Sequence, residues 1–157
     1  MQPPVLAYIA LGGNLGDAQA TVRWAMAQIA ALPQTRQRAR SSLYLSAPMD
    51  ATGPDYVNAV LAVDTQLLAP ELLAVLQHIE TQAGRQRPYQ NAPRTLDLDL
   101  LLSGSGRIQS PHVVVPHPRM CERAFMLLPL AEIAPNLVTA TQLEGVRGQR
   151  IQRLTAD

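Results

Sequence analysis

Arg94-Thr95-Leu96-Asp97-Leu98-Asp99-Leu100-Leu101-Leu102 alternates leucine with aspartate and then turns wholly apolar. Alternation with period two marks a β-strand, whose side chains point to opposite faces in turn. Leu96, Leu98 and Leu100 then share one face and Asp97 and Asp99 the other, the two aspartate Cα atoms about 6.5–7 Å apart. Two like charges in the middle of a sheet are costly unless a cation neutralises them. A half-exposed strand with an acidic face is the commoner origin of such a pattern. Here, however, Leu101 succeeds Asp99 on the same face, so that face passes from charged to apolar within one strand. The pattern predicts a metal site at one end of a buried strand.

Working outward, Val5 to Leu11 is an apolar run that predicts a first strand, with a turn at Gly12-Gly13-Asn14-Leu15-Gly16. Asp17 is placed to cap a helix in which Val22, Ala25, Met26 and Ile29 recur until Pro33. Arg36 to Tyr44 predicts a second strand with Arg36, Arg38 and Arg40 on a solvated face, and Ser46 to Pro54 a loop. Tyr56 to Asp64 alternates again, with Val57, Ala59, Leu61 and Val63 on one side and Tyr56 and Asn58 on the other. Pro70 opens a second helix with an apolar face of Leu72, Leu73, Val75, Leu76 and Ile79, ended by Gly84. A polar loop from Arg85 to Pro93 leads into the acidic strand. Beyond Gly104-Ser105-Gly106 come a short strand at Val113-Val114-Val115 and a helix from about Arg119 to Ala134, interrupted by Pro129. The order β-α-β-β-α-β predicts an α+β fold with a ferredoxin-like split β-α-β core, a mostly antiparallel sheet with helices packed on it. There is no internal repeat and no dividing linker, so one domain is expected across residues 1–157; the tail beyond Leu137 carries no functional signal.

Composition narrows the chemistry. The chain has 157 residues, 47% hydrophobic and 16% charged, and a net charge of +1. That suits a globular protein and gives no reason to expect a nucleic-acid or membrane partner. All 13 basic residues are arginine. The absence of lysine excludes a Schiff-base lysine and a Walker-type phosphate loop. Cys121 stands alone, which excludes a disulfide framework. Met1-Gln2-Pro3-Pro4 has neither a basic nor an apolar leader character, and no apolar run reaches the length of a membrane span, so a cytoplasmic protein is expected.

Six of the 13 arginines, at positions 85, 87, 94, 107, 119 and 123, surround the only paired carboxylates. Glu80 and Gln77 precede them at the end of the second helix, and His117 follows. Carboxylates that hold a divalent cation beside arginines that clamp oxyanions are the components of phosphoryl transfer. Mg²⁺ takes one or two carboxylates together with substrate phosphates and water, which suits Asp97 and Asp99. A His/Asp/Asp transition-metal site through His117 ranks second.

Several stretches together resemble a known family. They are Tyr8-Ile9-Ala10-Leu11-Gly12-Gly13-Asn14-Leu15-Gly16, Pro54-Asp55-Tyr56-Val57-Asn58-Ala59, Ile79-Glu80-Thr81-Gln82-Ala83-Gly84-Arg85, Arg94-Thr95-Leu96-Asp97-Leu98-Asp99, Val115-Pro116-His117-Pro118-Arg119, Glu122-Arg123-Ala124-Phe125 and Pro129-Leu130-Ala131-Glu132-Ile133-Ala134-Pro135. In this order the chain resembles 6-hydroxymethyl-7,8-dihydropterin pyrophosphokinase of folate biosynthesis. The resemblance implies transfer of pyrophosphate from ATP to the pterin hydroxymethyl group, with release of AMP. It implies two Mg²⁺ ions held by Asp97 and Asp99, and catalytic roles for Arg85, Arg94 and Asp99. Gln77, Glu80, Arg85, Arg87, Arg94, Leu100, His117 and Arg123 would face ATP. Ser46, Pro48, Met49, Tyr56, Asn58 and Phe125 would hold the pterin, with Tyr56 and Phe125 on either side of the ring and Asn58 reading its polar edge. The expected partners are these small molecules, bound by a monomer. Tyr89-Gln90-Asn91-Ala92-Pro93 departs from the Trp and Gly common before Pro-Arg-Thr in the family, and the Ser46–Pro54 loop is short; both belong to lids that order over ATP there. Two other readings stand beside this one: a non-catalytic pterin- or nucleotide-binding homologue, and an RNA-binding domain. An aromatic content of only 4% disfavours the RNA reading, since base stacking requires strand aromatics.

Overall fold

The structure, a computed structural model, describes residues 3–48, 53–84, 95–111 and 113–154. Strand β1 (Val5–Gly13) is central, paired antiparallel with β5 (Asp97–Ser103) on one side and β4 (Tyr56–Thr65) on the other. Beyond β4 lie β2 (Thr35–Arg40) and β3 (Tyr44–Ser46), and the edge is closed by β8 (Ile151–Arg153) on β3. The resulting order β5-β1-β4-β3-β8, with β2 also on β4, is the antiparallel ferredoxin-like arrangement. A separate hairpin joins β6 (Ile108–Gln109) to β7 (Val114–Val115).

Alternation divides the sheet into two faces with different covers. Ala7, Ile9 and Leu11 of β1, Val57 to Val63 in alternate steps on β4, and Leu96, Leu98 and Leu100 pack under α1 (Ala18–Ala30) and α2 (Ala69–Gln82). Ala10, Val60 and Leu101 face the other way, under α3 (Ala124–Ile133), with Val146 after α4 (Ala140–Gly145) completing that core. Asp17 starts α1 by accepting the Ala20 N–H at 3.1 Å, and Gly84 ends α2 at φ +83°, the left-handed conformation that glycine adopts without strain.

The structure differs from the sequence expectation in several elements. β1 continues through Gly12 and Gly13, where a turn was expected, because both residues keep partners on β4. The strand expected over 36–44 is broken into β2 and β3, since Ser41 spends its side chain on the Val60 N–H at 2.9 Å and Ser42 turns toward α3. The arginines of β2 are exposed, and Arg38 pairs with Asp64 at 2.6 Å. The last long helix begins at Ala124, after a short 3₁₀ turn at Met120–Glu122, and runs through Pro129 without a break. The tail adds α4 and β8, which local pattern did not reveal.

β5 carries a bulge: Tyr8 pairs with Leu102 but Ile9 with Leu100, leaving Leu101 as the extra residue. The charged first half of the strand thus meets an apolar second half in which both Leu101 and Leu102 serve the α3 core.

Candidate active site

The site is built on the half of the second sheet face that α3 does not fill. Gly12 lies between Asn58 of β4 and Asp97 of β5; one step along, Ala10 lies between Val60 and Asp99. All six residues share that face, because their neighbours Leu11, Val57, Ala59, Leu98 and Leu100 belong to the opposite core. The glycine keeps the row open. A Cβ on Gly12 would stand 3.2 Å from Asn58 Oδ1, tighter than ordinary contact. Carboxylates and a polar amide therefore flank a floor of bare backbone, which lets a ligand lie close to the sheet.

Asp97 and Asp99 are half-buried, as the alternation predicts. The segment after the cis Val115–Pro116 bond brings His117 over β5, with its N–H donating to the Leu101 carbonyl at 2.9 Å. His117 Nε2 stands 3.9 Å from Asp99 Oδ1. Its Nδ1 accepts the Arg119 N–H at 3.1 Å, which assigns the proton of the neutral ring to Nε2. Burial, reinforced by the charge of Arg123, pushes the imidazole pKa below its ordinary value, so the ring is neutral at pH 7. An Nε2–H beside the carboxylates is a donor suited to a phosphate oxygen.

Arg123 starts α3 and lies 5.4 Å from the Phe125 ring centroid. Glu80 is 3% exposed, and its Oε2 accepts the Leu98 N–H at 2.7 Å. It therefore caps the open edge of β5 between the two aspartates. This long-range backbone partner accounts for the burial of a charge at the end of a helix. The Leu100 side chain lies in the α1–α2 core, so its contact with any nucleotide would run through its backbone. Gln77 is exposed on α2. Arg85, Arg87, Arg94 and Met49 lie outside the described residues. So does the Tyr89–Pro93 segment.

On the other side of Gly12, Asn58 is buried and held firmly. Its Nδ2 donates to Ser46 Oγ at 2.7 Å and to the Tyr56 carbonyl at 3.3 Å. Ser46, Pro48 and Phe125 line a cavity of about 150 Å³, and Tyr56 pairs with Ser46 across β3 and β4. Sequence reasoning missed the lining residues that the tail contributes, Gln149, Arg150 and Ile151. No local signal marks them, because they reach the cavity only through the pairing of β8 with β3.

Among the described residues no cluster of three or more metal-ligating side chains occurs. Two carboxylates on an open face fit a hard cation whose other ligands come from phosphate and water. Taken together, an antiparallel ferredoxin-like sheet with a carboxylate pair, a neutral His donor and an adjoining polar-aromatic cavity has the components that phosphoryl transfer requires.

Comparison with known proteins narrows the class. The model of the family described as 7,8-dihydro-6-hydroxymethylpterin-pyrophosphokinase matches residues 8–135. A Pseudomonas aeruginosa protein named 2-amino-4-hydroxy-6-hydroxymethyldihydropteridine pyrophosphokinase is 46% identical over 131 residues, 83% of this chain and 81% of that protein. A Bacillus subtilis protein of the same name is 40% identical over 151 residues, 90% of this chain and 89% of its own length. A crystal structure of an HPPK-DHPS in complex with substrates aligns with a TM-score of 0.66 at 11% identity, over 93% of this chain and 43% of that one, a likeness of fold. The chain belongs to the 6-hydroxymethyl-7,8-dihydropterin pyrophosphokinase family. Among the described residues no helix is long and apolar enough to cross a membrane.

Proposed function

We infer that the protein transfers pyrophosphate from ATP to 6-hydroxymethyl-7,8-dihydropterin, giving AMP and the pterin diphosphate, a step of folate biosynthesis. The observation that supports this reading is the row Asn58–Gly12–Asp97, which sets an amide and a carboxylate on one sheet face across a residue with no side chain; the amide would read the ring and the carboxylate would bind a cation.

Asp97 and Asp99 would hold two Mg²⁺ ions, which would neutralise the triphosphate and keep the β-phosphorus open to attack. The pterin hydroxyl oxygen forms the new bond to the β-phosphorus, the bond to the α–β bridging oxygen breaks, and AMP leaves as the hydroxyl proton is lost to solvent. His117 donates Nε2–H to a phosphate oxygen, and Arg123 adds positive charge nearby. Arg85 and Arg94 are assigned to the phosphates by resemblance, Arg94 to the charge that develops during transfer. Gln77, Glu80 and Arg87 border the nucleotide, Glu80 by fixing β5. Ser46, Pro48, Met49 and Asn58 take the polar edge of the pterin, and Tyr56 and Phe125 its faces. Aligning two substrates along one sheet face lowers the entropic part of the barrier.

The test is incubation with Mg-ATP and the pterin, resolving the nucleotide products. Pterin-dependent AMP without ADP is expected. ADP would point to ordinary phosphoryl transfer, and pterin binding without turnover to a non-catalytic homologue.

A further inference from the structure

The C-terminal segment lies beyond the residues that match the family model. We propose that Gln149 and Arg150 are positioning residues for the pterin, a clamp that fixes the walls of its cavity relative to one another. The proposal rests on the functional reading above.

Two consecutive residues reach three separate walls. Gln149 Oε1 accepts the Ala124 N–H at 2.9 Å, and its Nε2 donates to the Glu122 carbonyl at 2.7 Å. Those contacts fix the start of α3, one residue before Phe125. The Arg150 guanidinium grips both oxygens of Asp55 at 3.0 and 2.9 Å, immediately before Tyr56. The Arg150 carbonyl accepts the Ala47 N–H at 3.3 Å, between Ser46 and Pro48. The cavity of about 150 Å³ among these segments is lined by Ser46, Pro48 and Phe125, and by Gln149, Arg150 and Ile151 themselves.

Energetics separates this role from holding the fold. The side chains of Arg150 and Asp55 are 69% and 28% exposed, so their pair adds little to global stability. Its bidentate geometry nevertheless fixes direction. A flat ring held between Tyr56 on β4 and Phe125 on α3 needs a fixed spacing at the ends of two elements whose direct packing centres further along, on Val60, and the tail ties those ends together. Binding sites hold their geometry when supporting contacts of this kind lock them.

The test compares the full chain with Arg150→Ala, Gln149→Ala and the exchanged pair Asp55→Arg/Arg150→Asp. KM is measured separately for pterin and for ATP, pterin binding is titrated without ATP, and thermal midpoints are recorded. The pterin KM is expected to rise about tenfold in each single variant, with the ATP KM within about twofold, and the exchanged pair to recover most of the loss. An unchanged pterin KM in both single variants overturns the clamp while leaving the function intact. Parallel rises in both KM values with a fallen thermal midpoint also overturn it, in favour of a plain folding role. A wild-type chain that neither turns over nor binds pterin removes the functional reading, and the clamp with it.

Discussion

Asp97 sits on the face of β5 opposite the leucine core, so its charge can be removed without disturbing packing. Asp97→Asn is expected to lower pterin-dependent AMP formation by about 10²-fold or more, while the unfolding free energy in urea shifts by less than about 1 kcal/mol. Undiminished turnover would remove the metal assignment. Arg94→Ala is expected to lower kcat by roughly 10²-fold with little change in either KM; steady-state kinetics on both substrates makes the distinction, since a change confined to KM means ground-state binding. The aspartates were legible because alternation is a local signal and because Leu101 interrupts it. Glu80 was named through the family resemblance alone, because what buries it, the Leu98 N–H, lies in another element.

At the scale of elements, the break between β2 and β3 is held by Glu132 of α3. Its carboxylate accepts the Ser42 N–H at 3.0 and 3.1 Å, the Ser42 hydroxyl at 2.9 Å, the Tyr44 hydroxyl at 2.8 Å and the Arg153 guanidinium at 3.1 Å. Burial, together with the hydrogen bond to Glu132, pushes the Tyr44 phenol pKa well up, so it stays a donor. Glu132→Ala leaves several part-buried donors unmet and is expected to cost about 2–3 kcal/mol, read from urea unfolding. The Asp55–Arg150 tie has a pH signature of defined sign. The hydrogen bond from Arg150, aided by its charge, holds the Asp55 carboxyl below its ordinary value. A depressed carboxyl contributes stability that is fully present above the unfolded pKa near about 4 and fades as pH falls through the lower folded value. The pH dependence of the thermal midpoint below about pH 4 should therefore flatten in Arg150→Ala. Strand β8, at three residues, was too short to show a pattern in sequence. It exists because the open edge of β3 offers unpaired backbone groups.

Across the whole molecule, two apolar cores of different extent share one sheet. The α1–α2 core runs the length of its face, whereas the α3 core stops at Val60, Ala10 and Leu101 and leaves the remaining rows to the site. Leu127 is fully buried in the α3 core. Leu127→Ala is expected to cost about 2–5 kcal/mol in urea unfolding, with kcat and both KM values preserved well below the melting temperature. The sheet order was legible because strands and helices follow in a sequence that few topologies accommodate. Which half of the second face stays bare was not, because it depends on where α3 lands, and a nearly all-apolar helix such as Ala124–Ile133 announces no face of its own.

The bulge at Leu101 separates the chain into two independent reading frames. Within β5, the residues before it fix which side of the sheet the carboxylates occupy, while Leu101 and Leu102 pack into the α3 core. An extra residue in the Gly104–Gly106 turn therefore leaves the register of Asp97 and Asp99 on β1 unchanged. One residue inserted between Asp97 and Asp99 has the opposite effect, because it turns one member of the pair into the leucine core. Drift in length is thereby channelled to one side of a single backbone irregularity.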